Sequence, residues 1–367
     1  LYEYWVKFFA VAFGMGVVSG VVMAYQFGTN WSEFSKFAGA VTGPLLTYEV
    51  LTAFFLEAGF LGVMLFGRKR VGEKLHFFAT LMVALGTFSS AFWLIVSNSW
   101  MQTPAGVEII DGVAVPVDWW AVIFNPSLPV RLAHMLIATF NTMSFIILAV
   151  ASWHLLKGHR TEAIMKMQKM ALTSLIIFSI AQVVVGDFHG LNVLENQPHK
   201  LAAMEGHWDQ VEEGESTSLI LFGFPDHEGG KTHFSIEIPY LASIILTHSL
   251  DGQIPVLKDF APEDRPPVAW VFWSFRVMGG LGFLMVALAL WGAWLQRKGV
   301  MHEKPLFLRF SLLMGPSGLI AILAGWFTTE IGRQPWTVQG LLRTVDSVSN
   351  HDASQLSLSL LLFVITY

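Results

Sequence analysis

The sequence predicts an all-α integral membrane protein, a multi-span helical bundle, from three observations. Of 367 residues 54% are hydrophobic and only 13% charged, with a mean hydropathy of +0.55, where a soluble domain carries about a quarter charged residues. Apolar runs near twenty residues recur, the length a membrane-crossing helix needs. Strict polar–apolar alternation is missing, so helices rather than a barrel satisfy the backbone in hydrocarbon.

In chain order, apolar runs place complete spans at 5–25, 42–66, 76–97, 129–156, 167–187, 267–295 and 306–329, and a truncated one from 354. Three connections between them are basic: Arg68, Lys69, Arg70 and Lys74; Lys157, Arg160, Lys166 and Lys169; Arg297, Lys298, Lys304 and Arg309. They alternate with connections poor in Lys and Arg, so all three lie on one side, the cytoplasmic one. Residues 26–41, 98–128, 188–266 and 331–353 then face outward. Trp31, Trp100, Trp119, Trp120 and Trp336 fall near the outer ends, where interfacial anchors are expected. The polar stretch 188–266 reads as an outer loop with short helices, lying on the membrane face within a single transmembrane domain of residues 1–367. A loop of that length carries function or is disordered. The chain starts at Leu1 and ends inside the apolar run 356–367, so it is expected to be a fragment of a longer protein.

There is no cysteine. Disulfides, iron–sulfur clusters, thiolate-ligated haem and covalent haem attachment are excluded, leaving His, Met or carboxylate for any metal. The net charge of −5 has no basic footprint for nucleic acid. No internal repeat supports an inverted-repeat transporter.

Ionisable residues inside spans cost about 2.5–3.5 kcal/mol each on insertion scales and need a reason. Glu49 and Glu57 lie eight residues apart in PLLTYEVLTAFFLEAGF, ~12 Å apart in depth and ~80° apart around an ideal helix. They line one proton path or buried site, or are neutral acids bonded to a neighbouring helix. His134 is the one histidine well within an outer half-span, a metal ligand or a satisfied structural group. Without a second interior histidine a bis-His haem is excluded, and methionine is the alternative soft ligand. Met278, in VFWSFRVMGGLGF, precedes two glycines that admit a flat macrocycle, though methionine is also common core filler. Arg276 beside it requires an anion, such as a haem propionate. Glu330 and Arg333 pair at i, i+3, as a salt bridge or with the carboxylate on a high-spin iron. With Glu49, these groups from four helices are expected to share one outer layer.

The stretches QFGTNWS (26–32), PLLTYEVLTAFFLE (44–57), WMQTP (100–104), KLAAMEGHW (200–208), FRVMGG (275–280) and GRQPW (332–336) resemble subunit I of cytochrome bd-type quinol oxidases. They occur in that family's order over nearly the whole chain. The resemblance implies that His134 and Met278 are axial ligands of a low-spin haem b, with Arg276 beside it. Glu330 matches the ligand of a high-spin haem b, and Trp326 and Arg333 match residues near the haem pair. Glu49 and Glu57 match acids at that pair, as a haem d ligand or proton-delivery groups, and Lys200 and Glu205 match the quinol site. Haem d, or a further haem b, completes the set.

The implied reaction oxidises ubiquinol or menaquinol at the outer face of the bacterial cytoplasmic (inner) membrane. Dioxygen is reduced to water with protons from the cytoplasm, which builds a proton-motive force without pumping. Implied partners are a second oxidase subunit, a small single-span subunit and membrane lipid. About nine spans are expected in the family. The chain is expected to lack its first helix, which carries a histidine ligand, and its C-terminal end. The short loop before FRVMGG looks like the branch that includes cyanide-insensitive oxidases. Two other readings stay open on the residues alone: a haem b quinol-oxidising anchor that never meets oxygen, and a proton-coupled transporter using Glu49 and Glu57.

Overall fold

The structure is a computed structural model describing residues 1–212 and 214–366; Glu213 of the acidic outer stretch and Tyr367 of the last apolar run lie outside the described residues. Among the described residues seven helical stretches are long and apolar enough to cross a membrane: Tyr2–Thr29, Ser32–Phe66, Glu73–Gln102, Trp119–Leu156, Glu162–Asn196, Val268–Arg297 and Pro305–Ile331. Each overlaps one of the seven expected spans, most of them running several residues longer. A shorter apolar helix, Ser354–Phe363, stands where the truncated one was expected. The chain is a multi-span helical membrane bundle.

In chain order the elements begin with α1 (Tyr2–Thr29), α2 (Ser32–Glu49), a π-helical segment (Val50–Phe54), α3 (Phe55–Phe66) and α4 (Glu73–Gln102). A hairpin of β1 (Val107–Ile110) and β2 (Val113–Pro116) leads to α5 (Trp119–Ile123), α6 (Leu128–Leu156), α7 (Glu162–Asn196) and α8 (Pro198–Glu205). A second hairpin, β3 (Leu219–Asp226) and β4 (Lys231–Ile238), precedes α9 (Leu241–Thr247) and α10 (Val268–Arg297). Helices α11 (Pro305–Leu313) and α12 (Ser317–Ile331) form one interrupted span. Strands β5 (Trp336–Val338) and β6 (Leu342–Arg343) and helix α13 (Ala353–Thr366) close the chain.

Two compact units divide these elements, Pro126–Pro335 and Tyr2–Asn125 with Trp336–Tyr367. In the first, Phe145, Leu148, Leu172, Leu175, Leu288 and Phe307 are fully buried between α6, α7, α10 and α11. Lipid tails are as apolar as leucine, so packing and interhelical hydrogen bonds hold such helices together rather than the hydrophobic effect. Asn141 donates to the Phe178 carbonyl at 3.1 Å, Ser179 donates to Asn141 at 3.1 Å, and Ser144 to Ser174 at 2.7 Å, joining α6 to α7. Gly318 of α12 lies so close to α6 that a Cβ there would meet Thr142 at 2.5 Å.

In the second unit, the segment from α2 to α3 packs along α4. Buried Asn125 donates to Ser99 at 3.0 Å, and the Gln339 amide donates to the Met101 carbonyl at 2.9 Å. Trp100 corrects one expectation. It is fully buried and its indole donates to the Ala105 carbonyl at 3.1 Å, so it is a core residue and not a lipid anchor.

Helix α7 corrects another. It continues to Asn196, nine residues past the expected end at 187. A span of 35 residues is roughly 50 Å long, well beyond ~30 Å of hydrocarbon. Apolar content marks where the helix leaves the hydrocarbon, not where the helix ends. His189 therefore sits on a helix.

Candidate functional site

Most of the expected site residues lie in the first unit. Helix α6 opens after Ser127 with Pro129 in its first turn, where the missing N–H costs nothing. One turn on it presents Arg131, buried, and then His134. The His134 Nδ1 is buried without a hydrogen-bond partner. Its ring meets His189 of α7 edge to face, with centroids 5.2 Å apart. The expectation of a lone interior histidine is thus overturned: α7 carries a second one beside it.

Met278 comes from α10, which pairs with α12 through Ser274 and Thr328 at 2.9 Å. A Cβ on Gly325 would stand 2.9 Å from the Met278 sulfur, so Gly325 leaves the thioether its space. Open space flanks Gly279 and Gly280. Trp326 follows Gly325, half-buried, four residues before Glu330.

Helix α8 is eight residues long and buried almost throughout. It stops at Gly206, whose φ of +78° suits glycine and where a Cβ would meet the Phe272 ring at 2.9 Å. Lys200 and Glu205 sit on it five residues apart, roughly 140° around the axis, and face different partners. Lys200 packs against the end of α12, where a Cβ on Gly332 would meet its Cγ at 2.8 Å. Its ammonium donates to Gln197 at 2.7 Å. Burial, and then the neighbouring Arg131, push that ammonium well below its ordinary range, with Glu330 opposing and Arg333 adding to the effect.

Three basic side chains, Arg131, Lys200 and Arg333, thus surround one carboxylate, Glu330, which pairs with Arg333 at i, i+3. Nε and Nη1 of Arg333 are buried without a hydrogen-bond partner. A buried excess of cationic donors calls for an anionic group.

Glu205 faces the other way. Arg276 lies 3.6 Å from its carboxylate, the carboxylate buried and the guanidinium largely so. The same guanidinium donates to the carbonyls of Ile220 at 2.7 Å and Met204 at 3.1 Å, and stacks on Phe272 at 4.5 Å. One anion beside Arg276 is thus a protein carboxylate.

Glu49 and Glu57 lie in the second unit. The π-helical segment Val50–Phe54 falls between them. Its wider i→i+5 turns rotate less per residue than an α-helix, as at many functional sites. The two carboxyls accordingly both meet α4 instead of diverging. Ser90 donates to Glu49 at 2.7 Å, and Thr87, three residues earlier, hydrogen-bonds Glu57. Glu57 is buried, and Gly86 makes its room: a Cβ there would lie 2.6 Å from the Glu57 Cγ.

Sequence reasoning missed His189, Arg131, Ser90 and Thr87. Arg131 had a legible signal, a cation one helical turn before His134. The two hydroxyls had none, because hydroxyls are common in spans.

A family model described as cytochrome bd terminal oxidase subunit I matches residues 1–367. Cytochrome bd ubiquinol oxidase subunit 1 of Bacillus subtilis (strain 168) is 35% identical, over all of this chain and 80% of the relative. Cytochrome bd-II ubiquinol oxidase subunit 1 of Escherichia coli (strain K12) is 31% identical, over all of this chain and 84% of the relative. A solved bd oxidase structure from Geobacillus thermodenitrificans superposes with a TM-score of 0.88 at 32% identity, covering 98% of this chain and 83% of the other.

Proposed function

The chain belongs to the cytochrome bd terminal oxidase subunit I family, and on that premise we propose how its residues serve a haem-binding, multi-subunit quinol:oxygen oxidoreductase of the bacterial inner membrane. The reading rests on one observation above the others, two buried guanidiniums, Arg131 and Arg333, with buried Lys200 beside them and a single carboxylate, Glu330, among them, and with two Arg333 nitrogens unpaired. Haem propionates are anions of the size and valence to neutralise these guanidiniums.

The donor set fits haem. His134 and Met278 would hold a low-spin haem b, a role that the orphaned Nδ1 and the space left at Gly325 both suit. Glu330 would hold a high-spin haem b, with Trp326 and Arg333 as its neighbouring residues. Glu49 is a candidate ligand for the third haem, haem d or a further haem b. When bound, these groups supply the one-electron steps that join quinol oxidation to dioxygen reduction.

The protein's own residues bind, orient and move protons. Glu205, held by Arg276, accepts a proton from the quinol hydroxyl at the outer face, within the 188–266 segment. Ubiquinol or menaquinol, the quinols in the names of the relatives, is the substrate. Lys200, on the far side of the same short helix, faces the haem-side cations and couples the two sites mechanically. Glu57 and Glu49, each bonded to an α4 hydroxyl, hold protons destined for oxygen reduction. Protons released outside and consumed from inside generate a proton-motive force. A second subunit covers lipid-exposed faces, with a small single-span subunit and lipid completing the complex.

The test is a reduced-minus-oxidised optical spectrum of the purified complex and two variants. His134→Ala and Met278→Leu should each remove the low-spin haem b bands while the subunit still inserts. An unchanged low-spin spectrum in both would sink the ligand assignment.

A further inference from the structure

The β3–β4 hairpin exposes more apolar surface than a water-facing hairpin needs. Phe222 and Phe224 are exposed and touch edge to face at 5.3 Å, and Ile236, 61% exposed, pairs opposite Phe222. Phe234, in the same strand as Ile236, is 83% exposed. Contiguous exposed apolar patches on soluble surfaces mark contacts with membranes or other proteins.

The hairpin's depth favours lipid. Phe222 packs edge to face on Trp273 of α10 at 5.1 Å, and Arg276 donates to the Ile220 carbonyl. Trp273 is five residues into α10, about 7.5 Å along its axis. The helix, at 30 residues, is about 45 Å long against ~30 Å of hydrocarbon, so its first turn and a half lies in the interfacial layer. Trp270, 68% exposed in that first turn, is placed as an interfacial anchor. The apolar hairpin face is thus continuous, through Trp273, with the exposed surface of a membrane span at headgroup depth. Deeper insertion is excluded by the hairpin's unpaired backbone edges, which hydrocarbon would leave unsatisfied. The turn keeps its polar groups at the other end, where Asp226 accepts from the Glu228 and Gly229 amides.

We propose that the β3–β4 hairpin is a membrane-surface anchor, its Phe222, Phe224, Phe234 and Ile236 face seated among interfacial lipids of the adjoining leaflet. Through Arg276, which bonds Ile220, Met204 and Glu205 together, the anchor fastens α8 at the membrane surface.

The chain contains no cysteine, so a single introduced thiol in it can be labelled against the unsubstituted complex as baseline. Phe234→Cys, in the complete oxidase reconstituted into phosphatidylcholine–phosphatidylglycerol vesicles, receives a bimane fluorophore. Shallow nitroxide-labelled lipid should quench it more than aqueous iodide does, whereas Glu228→Cys on the turn should show the reverse. Iodide quenching equal to or above lipid quenching at residue 234 overturns the proposal, because the face then lies in water. Quenching by neither also overturns it, because a protein partner then covers the face. Ile236→Cys carries the same test if Phe234→Cys fails to assemble.

Discussion

The Arg276 guanidinium joins two backbone carbonyls from different segments to the buried Glu205 carboxylate. Removing one partner of such a buried pair typically costs about 3–5 kcal/mol, because the other charge is left uncompensated. Its neighbour on α8, His199, is governed by burial too. The ring packs against Phe260 at 6.1 Å, and burial, then Lys200, lowers it to about 4, with Asp264 opposing. Between pH 6.5 and 4 the unfolded imidazole binds a proton that the folded one refuses, so stability falls as pH falls through that window. The full shift corresponds to roughly 3 kcal/mol. Hydrogen-exchange protection of α8 should decline between pH 6.5 and 4, and His199→Phe should flatten the decline. An identical pH dependence in both proteins would refute this account. Nothing in PHKLAAMEGHW marks His199 or Lys200 as buried, since both residue types read as surface groups until Phe260 covers the one and Gly332 the other.

At the scale of elements, the π-helical turn between Glu49 and Glu57 is the informative departure from ideal geometry. An unbroken α-helix would set the two acids ~80° apart; the wider turn brings both against Ser90 and Thr87 of α4. Gly86→Ala would place a methyl 2.6 Å from the Glu57 Cγ and 3.3 Å from the Ala53 carbonyl oxygen. Overpacking of this kind costs about 1–3 kcal/mol. Dioxygen consumption should drop roughly tenfold, below the usual loss on removing a proton-transfer group outright, while the haem spectrum stays intact. Full turnover in Gly86→Ala would remove Glu57 from the proton route. Helix periodicity carried the approximate placement of both acids, but a π turn has no signature in residue type and appeared only with the packed helices.

For the whole molecule, the outer segment and the span residues meet on α8, whose two sides carry Glu205 toward Arg276 and Lys200 toward Glu330. Glu205→Gln should slow quinol oxidation and raise the quinol KM with all haem bands preserved. Loss of haem in that variant would place Glu205 in haem retention instead of substrate oxidation.

The sequence by itself determined the membrane class, the approximate places of the seven spans and which ionisable groups fall inside them. These follow from one-dimensional quantities: apolar run length against bilayer thickness, and the cost of an ionisable group within a span. The tertiary structure alone decided which partner each of those residues meets. Arg276 finds Glu205 71 residues away, His134 finds His189 on the neighbouring helix, and Lys200 is buried under Gly332. Such pairings depend on the rotation and register of packed helices, and the period of a single helix carries no record of either.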